Sequence, residues 1–408
     1  MAQDGGFEVI RDPLWDNIRL EPAAVQAIDT GEFQRLRYVR QLGHTFHVYP
    51  GATHSRFEHA LGTYHLARRT LALLAERDSR VRQGDDAAIA CAAAVLHDIG
   101  HYPFSHALEE AGFPSHESLG IARLATGRLG DLLRSLGGEW LIHRIGELIE
   151  GSSDSPLAGL VSGSLDLDKI DCLSRDAHMC GVPYGTVDVN RLLSSLVMVA
   201  DASTRLQVGV HEKGLSALES LLFGKYQMYR NVYWHHAVRS ATAMFQRAVR
   251  ATLRAGRITV GEVSAATDDA FATVLAERDP TGLARALRAR RLHKRALDLA
   301  ASELPADLPD WLWNAPDTLE LAEDKLAADL GLPAGAVLID FPARESMLSV
   351  DLPLLARSGE VERLTSAGRS GQLGLPRVAD ELYRTARRLR IFTAEPRRLD
   401  EIPRALRR

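Results

Sequence analysis

Three cysteines in 408 residues, Cys91, Cys172 and Cys180, are too few and too scattered for a disulfide framework. That usage fits a reducing compartment. No uncharged apolar run approaches the roughly 18 residues a membrane-spanning helix needs, so no membrane partner is expected. The opening residues, MAQDGGFEVIRDPLWDN, lack a basic segment followed by an apolar one. No secretory leader is therefore expected, and the expected location is cytoplasmic. Excess positive charge is missing too. Lys and Arg number 49 against 53 Asp and Glu, for a formal net charge of -4. Nucleic acid is allowed as a partner but not favoured, because there is no global basic field to attract it. Internal repeats and low-complexity tracts are absent. The length is enough for two or three domain-sized units, or for one large domain with an appendage.

Histidine is unevenly used. Nine of the fifteen lie between His44 and His116. Imidazole is the commonest transition-metal ligand and the usual acid/base group near neutral pH.

The residue pattern is mainly helical. A hairpin is expected over 7–20 with Asp12-Pro13 as its turn, then a helix from Glu32 to about Gly43. A long helix runs from about Phe57 to Glu76, with Leu61, Tyr64, Leu66, Leu71 and Leu74 at helical spacing. Residues 85–98 are apolar on nearly every face, which predicts a buried central helix. Gly100 suits a left-handed cap beyond it. Further helices are expected at 104–112, 115–126, 128–136, 139–150 and from about 166 to Gly181. A small hairpin is expected at 196–210, helices over 213–255, and short helices over 256–305. Arg285, Arg288, Arg291 and Arg295 then form one stripe, either a solvated face or a site for an allosteric nucleotide or polyanion. Beyond 305 the pattern shifts to a smaller α+β lobe, with strands at 336–342 and 346–350, a helix at 376–388 and a last strand at LRIFT.

Four motifs carry chemistry, in this order: H-x4-H (His54, His59), HD-x2-H-x4-H (His97, Asp98, His101, His106), HE (His116, Glu117) and D-x-D-x2-D (Asp166, Asp168, Asp171). A charged aspartate ending a buried helix is costly unless paired, and a cation or an arginine can pair it. His59, His97, Asp98 and Asp168 form a mixed nitrogen and oxygen set suited to one divalent ion, Mn2+, Fe2+, Zn2+ or Mg2+. Any single His-Asp pair is more often an ordinary core hydrogen bond. The weight lies in the whole ordered set.

That set resembles the HD-domain phosphohydrolases, and more narrowly the deoxynucleoside triphosphate triphosphohydrolases. Both the bacterial dGTPase-like enzymes and the vertebrate antiviral dNTPase are similar. The resemblance runs through RQLGHTFHVYPGATHSRFEHALG, AAVLHDIGHYPFSHALE, SHES and LDLDKIDCLSRDAHMCGVPYG, and more weakly KYQMYRNVYWHH, over roughly residues 8–250. The cyclic dinucleotide phosphodiesterase branch is set aside, since HDIGH stands here in place of HDIGK.

The resemblance implies an HD-type helical bundle, and with the residue pattern the expected division is 1–300 for that domain with a helical extension and 301–408 for the α+β lobe. It implies a dNTP substrate, a possible nucleotide activator and a homo-oligomer. His59, His97, Asp98 and Asp168 would hold the metal. His101, His106, Glu109, His116 and Glu117 would form the catalytic group at the phosphates. Arg56, Lys169 and Lys225 would neutralise phosphate charge. Gln41 and Asp176 would read the 3'-hydroxyl, and Tyr233 would lie under the sugar. Cys172 departs from the vertebrate pattern, which has tyrosine there. The alternatives are an HD phosphohydrolase acting on a nucleoside monophosphate, a nucleotide analogue or a single-stranded DNA end, and a non-catalytic nucleotide sensor. The sensor reading is disfavoured because no metal or acid/base position is missing.

Overall fold

The apolar run AAIACAAAVL is helical from Asp86 to Leu96. Its alanines let two longer helices approach closely: Arg56–Arg77 on one side and Gly127–Glu150 on the other. Ile89, Ala93 and Leu96 share a core with Phe57, Leu61 and Tyr64 of the first and Leu129, Ile145 and Leu148 of the second. Ala90 and Ala94 face a second core, built from Leu66, Leu71 and Leu74 with Leu167, Ile170 and Leu173 of the Leu167–Cys180 helix. This buried junction of four helices is the frame on which the site is hung.

The computed structural model describes residues 6–200, 205–305, 309, 311–342, 351–365, 384–399 and 403. The chain is mainly α, with a C-terminal α+β region. The first hairpin pairs Glu8–Asp12 with Asp16–Leu20. Leu196–Ala200 pairs with Leu206–His211, as expected. That hairpin then extends into a four-stranded sheet, through a parallel contact with Leu352–Leu355 that is followed by Val361–Leu364. A three-stranded sheet has Arg388–Thr393 at its centre, flanked by Lys294–Ala300 and Val337–Asp340. Both sheets join residues from the two sides of the division expected at 300/301.

Several expectations meet a different local structure. Residues 32–43 form only a helical turn, Gly31–Gln34, and a tighter turn, Arg35–Tyr38. The chain then extends because Arg56 N–H donates to Val39 O (2.9 Å) and Gln41 N–H to His54 O (3.0 Å). Long-range pairing there overrides helix propensity. Residues 104–112 form no α-helix, since Phe104 and Ser105 have φ of 60° and 57°. Gly100 has no left-handed φ; instead a Cβ there would lie 1.9 Å from His116 O. Its missing side chain is what lets the His116–Leu124 helix start against the loop that follows Asp98. The helices expected at 128–136 and 139–150 are continuous apart from a break at Gly138. The arginine stripe is divided, because a helix ends at Arg288 and a strand begins at Lys294. The strand expected at 346–350 lies outside the described residues, as does most of the helix expected at 376–388. Among the described residues no helix is long and apolar enough to cross a membrane.

Candidate active site

His59 lies in the first turn of the Arg56–Arg77 helix. A capping box fixes that turn: Ser55 N–H donates to Glu58 Oε2 at 2.5 Å. His97 and Asp98 follow the last turn of Asp86–Leu96, and Asp168 is in the first turn of Leu167–Cys180. The three helices converge, so His59 Nε2 is 3.2 Å from His97 Nε2, 2.9 Å from Asp168 Oδ1 and 3.6 Å from Asp98 Oδ2.

The outer nitrogens of both imidazoles are spoken for. His59 Nδ1 lies 2.8 Å from Asp171 Oδ2, and His97 Nδ1 lies 2.9 Å from Ala94 O. Each outer nitrogen therefore carries a proton, and the two Nε2 atoms are left facing each other beside two carboxylates. A cation resolves that crowding, and the donor set of two imidazoles and two carboxylates fits a divalent metal. Burial opposes the charge on Asp98, but Arg56, His97 and His101 outweigh it and hold its carboxyl well below the usual range. Asp168 is held low in the same way by His59 and His97.

Asp171 had no assigned role in the sequence reading, yet it anchors His59. Arg175 grips Asp171 through Nε (2.9 Å) and a terminal nitrogen (3.0 Å), and reaches Asp12 at 2.8 Å. The Trp15 indole N–H donates to Asp171 at 2.5 Å. Gly62 is required here, since a Cβ would lie 1.9 Å from Asp171 Oδ1. The four-residue spacing of Asp171 and Arg175 was a visible signal. Nothing near Asp12 or Trp15 in sequence pointed to this chain of contacts.

A second cluster adjoins the first on a cavity of about 660 Å³, with Asp98 Oδ1 3.1 Å from His101 Nε2 and 3.9 Å from His116 Nε2. Glu109 bridges two imidazoles: Oε2 is 2.5 Å from His106 Nδ1, and Oε1 is 2.7 Å from His116 Nδ1 and accepts the His116 N–H at 2.6 Å. Desolvation disfavours charge on His106, but Glu109 outweighs that and raises its pKa above the ordinary value. The same contacts overcome burial of Glu109 and hold its carboxyl far below the usual range. His101 is fully buried behind this pair, stacked on His116 at 3.8 Å. Burial, Arg56 and His116 push it well below its ordinary value, so it is neutral. Glu117 lines the cavity 3.5 Å from His116 Nδ1.

The expected substrate-contacting residues Gln41, Arg56, Lys169, Asp176, Lys225 and Tyr233 all line the same cavity. Arg56 is nonetheless buried and bonded to Asp98 at 2.7 Å. The Lys169 ammonium is held by Asp166 and by Gly163 O rather than by Asp171 or Asp176. Asp176 accepts a hydrogen bond from the Tyr233 hydroxyl at 2.6 Å and lies 2.8 Å from His54 Nε2. Gln41 donates its amide N–H to Cys172 Sγ at 2.9 Å, and that thiol also lies 3.2 Å from Asp168. A π-helical turn, Tyr229–Tyr233, brings Tyr229 and Tyr233 to the wall.

Residues 56–176 match the model of the HD domain, and residues 187–370 match that of the HD-associated region. The chain belongs to the HD-domain phosphohydrolase family. It is similar to an uncharacterized protein of Methanocaldococcus jannaschii, 36% identical over 270 residues, which is 66% of this chain and 55% of that one. It is also similar to the uncharacterized protein YwfO of Bacillus subtilis, 34% identical over 245 residues, 59% of this chain and 54% of that one. The deoxynucleoside triphosphate triphosphohydrolase SAMHD1 of Bos taurus is 30% identical over 266 residues, 56% of this chain and 45% of that one. The chain thus spans about half the length of these curated relatives. The HD match begins at Arg56 and ends at Asp176, so it encloses the metal-facing four, Asp171 and the Glu109 bridge. Lys225 and Tyr233 come from the HD-associated region. The cavity is therefore built by both segments.

Proposed function

We propose that the protein is a metal-dependent deoxynucleoside triphosphate triphosphohydrolase, converting a dNTP and water to a deoxynucleoside and tripolyphosphate. One observation carries this reading: a His/Asp metal-facing cluster and a Glu109-bridged imidazole pair share one cavity, whose size suits a nucleotide. When bound by His59, His97, Asp98 and Asp168, a divalent ion supplies Lewis-acid polarisation of a phosphoryl oxygen and a more acidic water.

The chain's own residues do the rest. His106, kept protonated by Glu109, donates a proton to the leaving 5'-oxygen as the bond from the α-phosphorus to that oxygen breaks. The water oxygen ends on the α-phosphorus, and its proton passes to the His116, Glu109 and Glu117 group. His101, being neutral and buried, sets the His116 plane by stacking. Arg56, Lys169 and Lys225 offset phosphate charge. Gln41 and Asp176 read the 3'-hydroxyl while Tyr233 packs under the sugar. A homo-oligomer and a nucleotide activator belong to the same proposal, as does Mn2+, Fe2+, Zn2+ or Mg2+ as the native ion.

Two contacts favour a second reading, hydrolysis of a shorter nucleotide or another phosphoester. Lys169 is committed to Asp166, and a small thiol, Cys172, occupies the wall beside Asp168. Both reduce the contacts offered to a triphosphate. The deciding experiment incubates purified protein with Mn2+ and each dNTP, alone and with a second nucleotide, and follows tripolyphosphate. Release of tripolyphosphate is expected. Its absence in every combination, with a monophosphate or another phosphoester cleaved instead, selects the second reading.

A further inference from the structure

Four residues separate His101 from His106, and the chain turns between them through Phe104 and Ser105. Both are non-glycine residues in the left-handed region, with φ of 60° and 57°. Two in succession are rare, and such a turn persists only where its surroundings hold it. What holds it comes from about 160 residues further on. Asp268, in the first turn of the Asp268–Arg278 helix, is 1% exposed. Its Oδ1 accepts the Phe104 N–H at 2.8 Å. Its Oδ2 accepts the Arg40 N–H at 3.0 Å and faces the Arg40 guanidinium at 3.2 Å.

The same bracket closes from the other side. The Ser105 hydroxyl donates to Arg40 O at 2.6 Å and accepts from Arg56 Nε at 3.0 Å. Two more ties fasten the loop to the segment just before Asp268. Arg35 donates to His101 O (2.6 Å) and Ser264 O (2.9 Å), and Arg123 donates to Ile99 O (2.5 Å) and Ser264 O (2.5 Å). None of these contacts involves His59, His97 or Asp168.

We infer that Asp268 is a positioning residue for the catalytic imidazoles: by accepting the Phe104 amide it locks the left-handed turn that delivers His106 and Glu109 to the cavity. The inference rests on the phosphate-end role given above to His106 and Glu109. It makes the HD-associated region a working part of the reaction, beyond its share of the cavity wall. The acceptor on Phe104 N–H is the operative contact, and the pairing with Arg40 is support. An asparagine at 268 keeps one acceptor oxygen for that amide and loses the charge; an alanine loses both.

The test compares Asp268→Ala and Asp268→Asn with the parent protein in the Mn2+ and dNTP assay, with metal content and Tm measured beside turnover. Asp268→Ala is expected to lower kcat by about 30-fold with KM within about threefold and metal content unchanged. Asp268→Asn is expected to keep kcat within about fivefold of the parent while its Tm falls as far as that of the alanine variant, since both lose the charge facing Arg40. Equal losses of kcat in the two variants, or a loss of metal alongside activity, overturn the inference, because a merely structural Asp268 gives that result. Amide hydrogen exchange over residues 101–110 is followed without substrate. Exchange at least tenfold faster in Asp268→Ala, with residues 56–64 unchanged, is expected, and unchanged exchange at 101–110 overturns the lock. This second readout stands even where the parent cleaves no dNTP, so the failure of the dNTP reading and of the lock are told apart.

Discussion

His59, His97 and Asp168 stand at the ends of three packed helices, whereas His106 and Glu109 sit on a stretch whose only regular element is the single turn Ser105–Ala107. On the metal-facing side, local structure does the positioning. A capping box starts one helix, Asp166 caps another through Lys169 N–H at 2.9 Å, and buried apolar faces fix the angles between them. On the imidazole side the backbone is held by partners distant in sequence: Asp268 on Phe104, Arg35 on His101, and Arg239 gripping Glu110 at 2.9 and 3.0 Å while also meeting Asp340 at 2.6 Å. The half that holds His59, His97 and Asp168 is thus mainly a product of the helical bundle. The half that holds His106 and Glu109 depends on the HD-associated region and the C-terminal sheet.

The comparison is tested hardest by Asp168→Ala. Asp168 is the most exposed of the four metal-facing side chains, at 36%, and is not part of the buried packing. Its loss should leave the fold intact and remove bound metal and activity together, the latter by about four orders of magnitude or more. Metal analysis, circular dichroism and turnover on one preparation decide it. Full turnover in a variant without the carboxylate would remove the metal-centre argument.

Glu109→Gln is expected to have the next largest effect, and it is the variant that separates the two halves. An amide can still accept from one histidine but presents an N–H to the other, so the bridge to His106 and His116 breaks. Without the carboxylate, His106 also loses the group that keeps it protonated above its ordinary range. Turnover should fall about 100- to 1,000-fold with metal content unchanged. The alkaline limb of the rate, which in the parent lies at higher pH because His106 holds its proton, should move to lower pH. A parallel loss of metal would show that the two clusters are one unit.

How much of this was legible follows the same division. The ordered motifs H-x4-H, HD-x2-H-x4-H and D-x-D-x2-D marked the metal-facing four, because short-range spacing on helix ends is written in neighbouring residues. The bundle itself was readable from apolar periodicity and the all-apolar run at 86–96. The expected helix at 104–112 failed because propensity cannot register an amide held by Asp268. The expected helix at 32–43 failed because Val39 and Gln41 pair with the segment 54–56. For Lys169 the alternatives are phosphate or a helix-surface pairing with Asp171 or Asp176, and the actual partner is Asp166, the N-cap three residues away. Gly100 was assigned a cap for its conformation, when what matters is the space beside His116 O. Each miss lies where a contact of long sequence separation, or a packing distance, decides the backbone.

The smallest expected effect concerns the link that the helical half does borrow from afar. Asp171 fixes the His59 ring, and Arg175 carries that constraint to Asp12 on the first hairpin. Burial opposes ionisation of Asp171, yet Arg175 and His59 hold its carboxyl below the usual range, so it is an anion at any working pH. Asp171→Asn keeps an acceptor for the His59 Nδ1 proton but weakens it, and leaves Arg175 paired with Asp12 alone. A second carboxylate behind a metal-facing imidazole typically contributes 10- to 100-fold in affinity, and the retained acceptor places this variant near about tenfold. Competition against a chelator of known affinity measures it, with turnover at saturating metal as the control. At saturation the parent and the variant should turn over within about threefold of each other, since His106 and Glu109 are untouched. If affinity is unchanged while turnover at saturation falls, Asp171 serves the imidazole side, and the two halves are coupled through His59 rather than built apart.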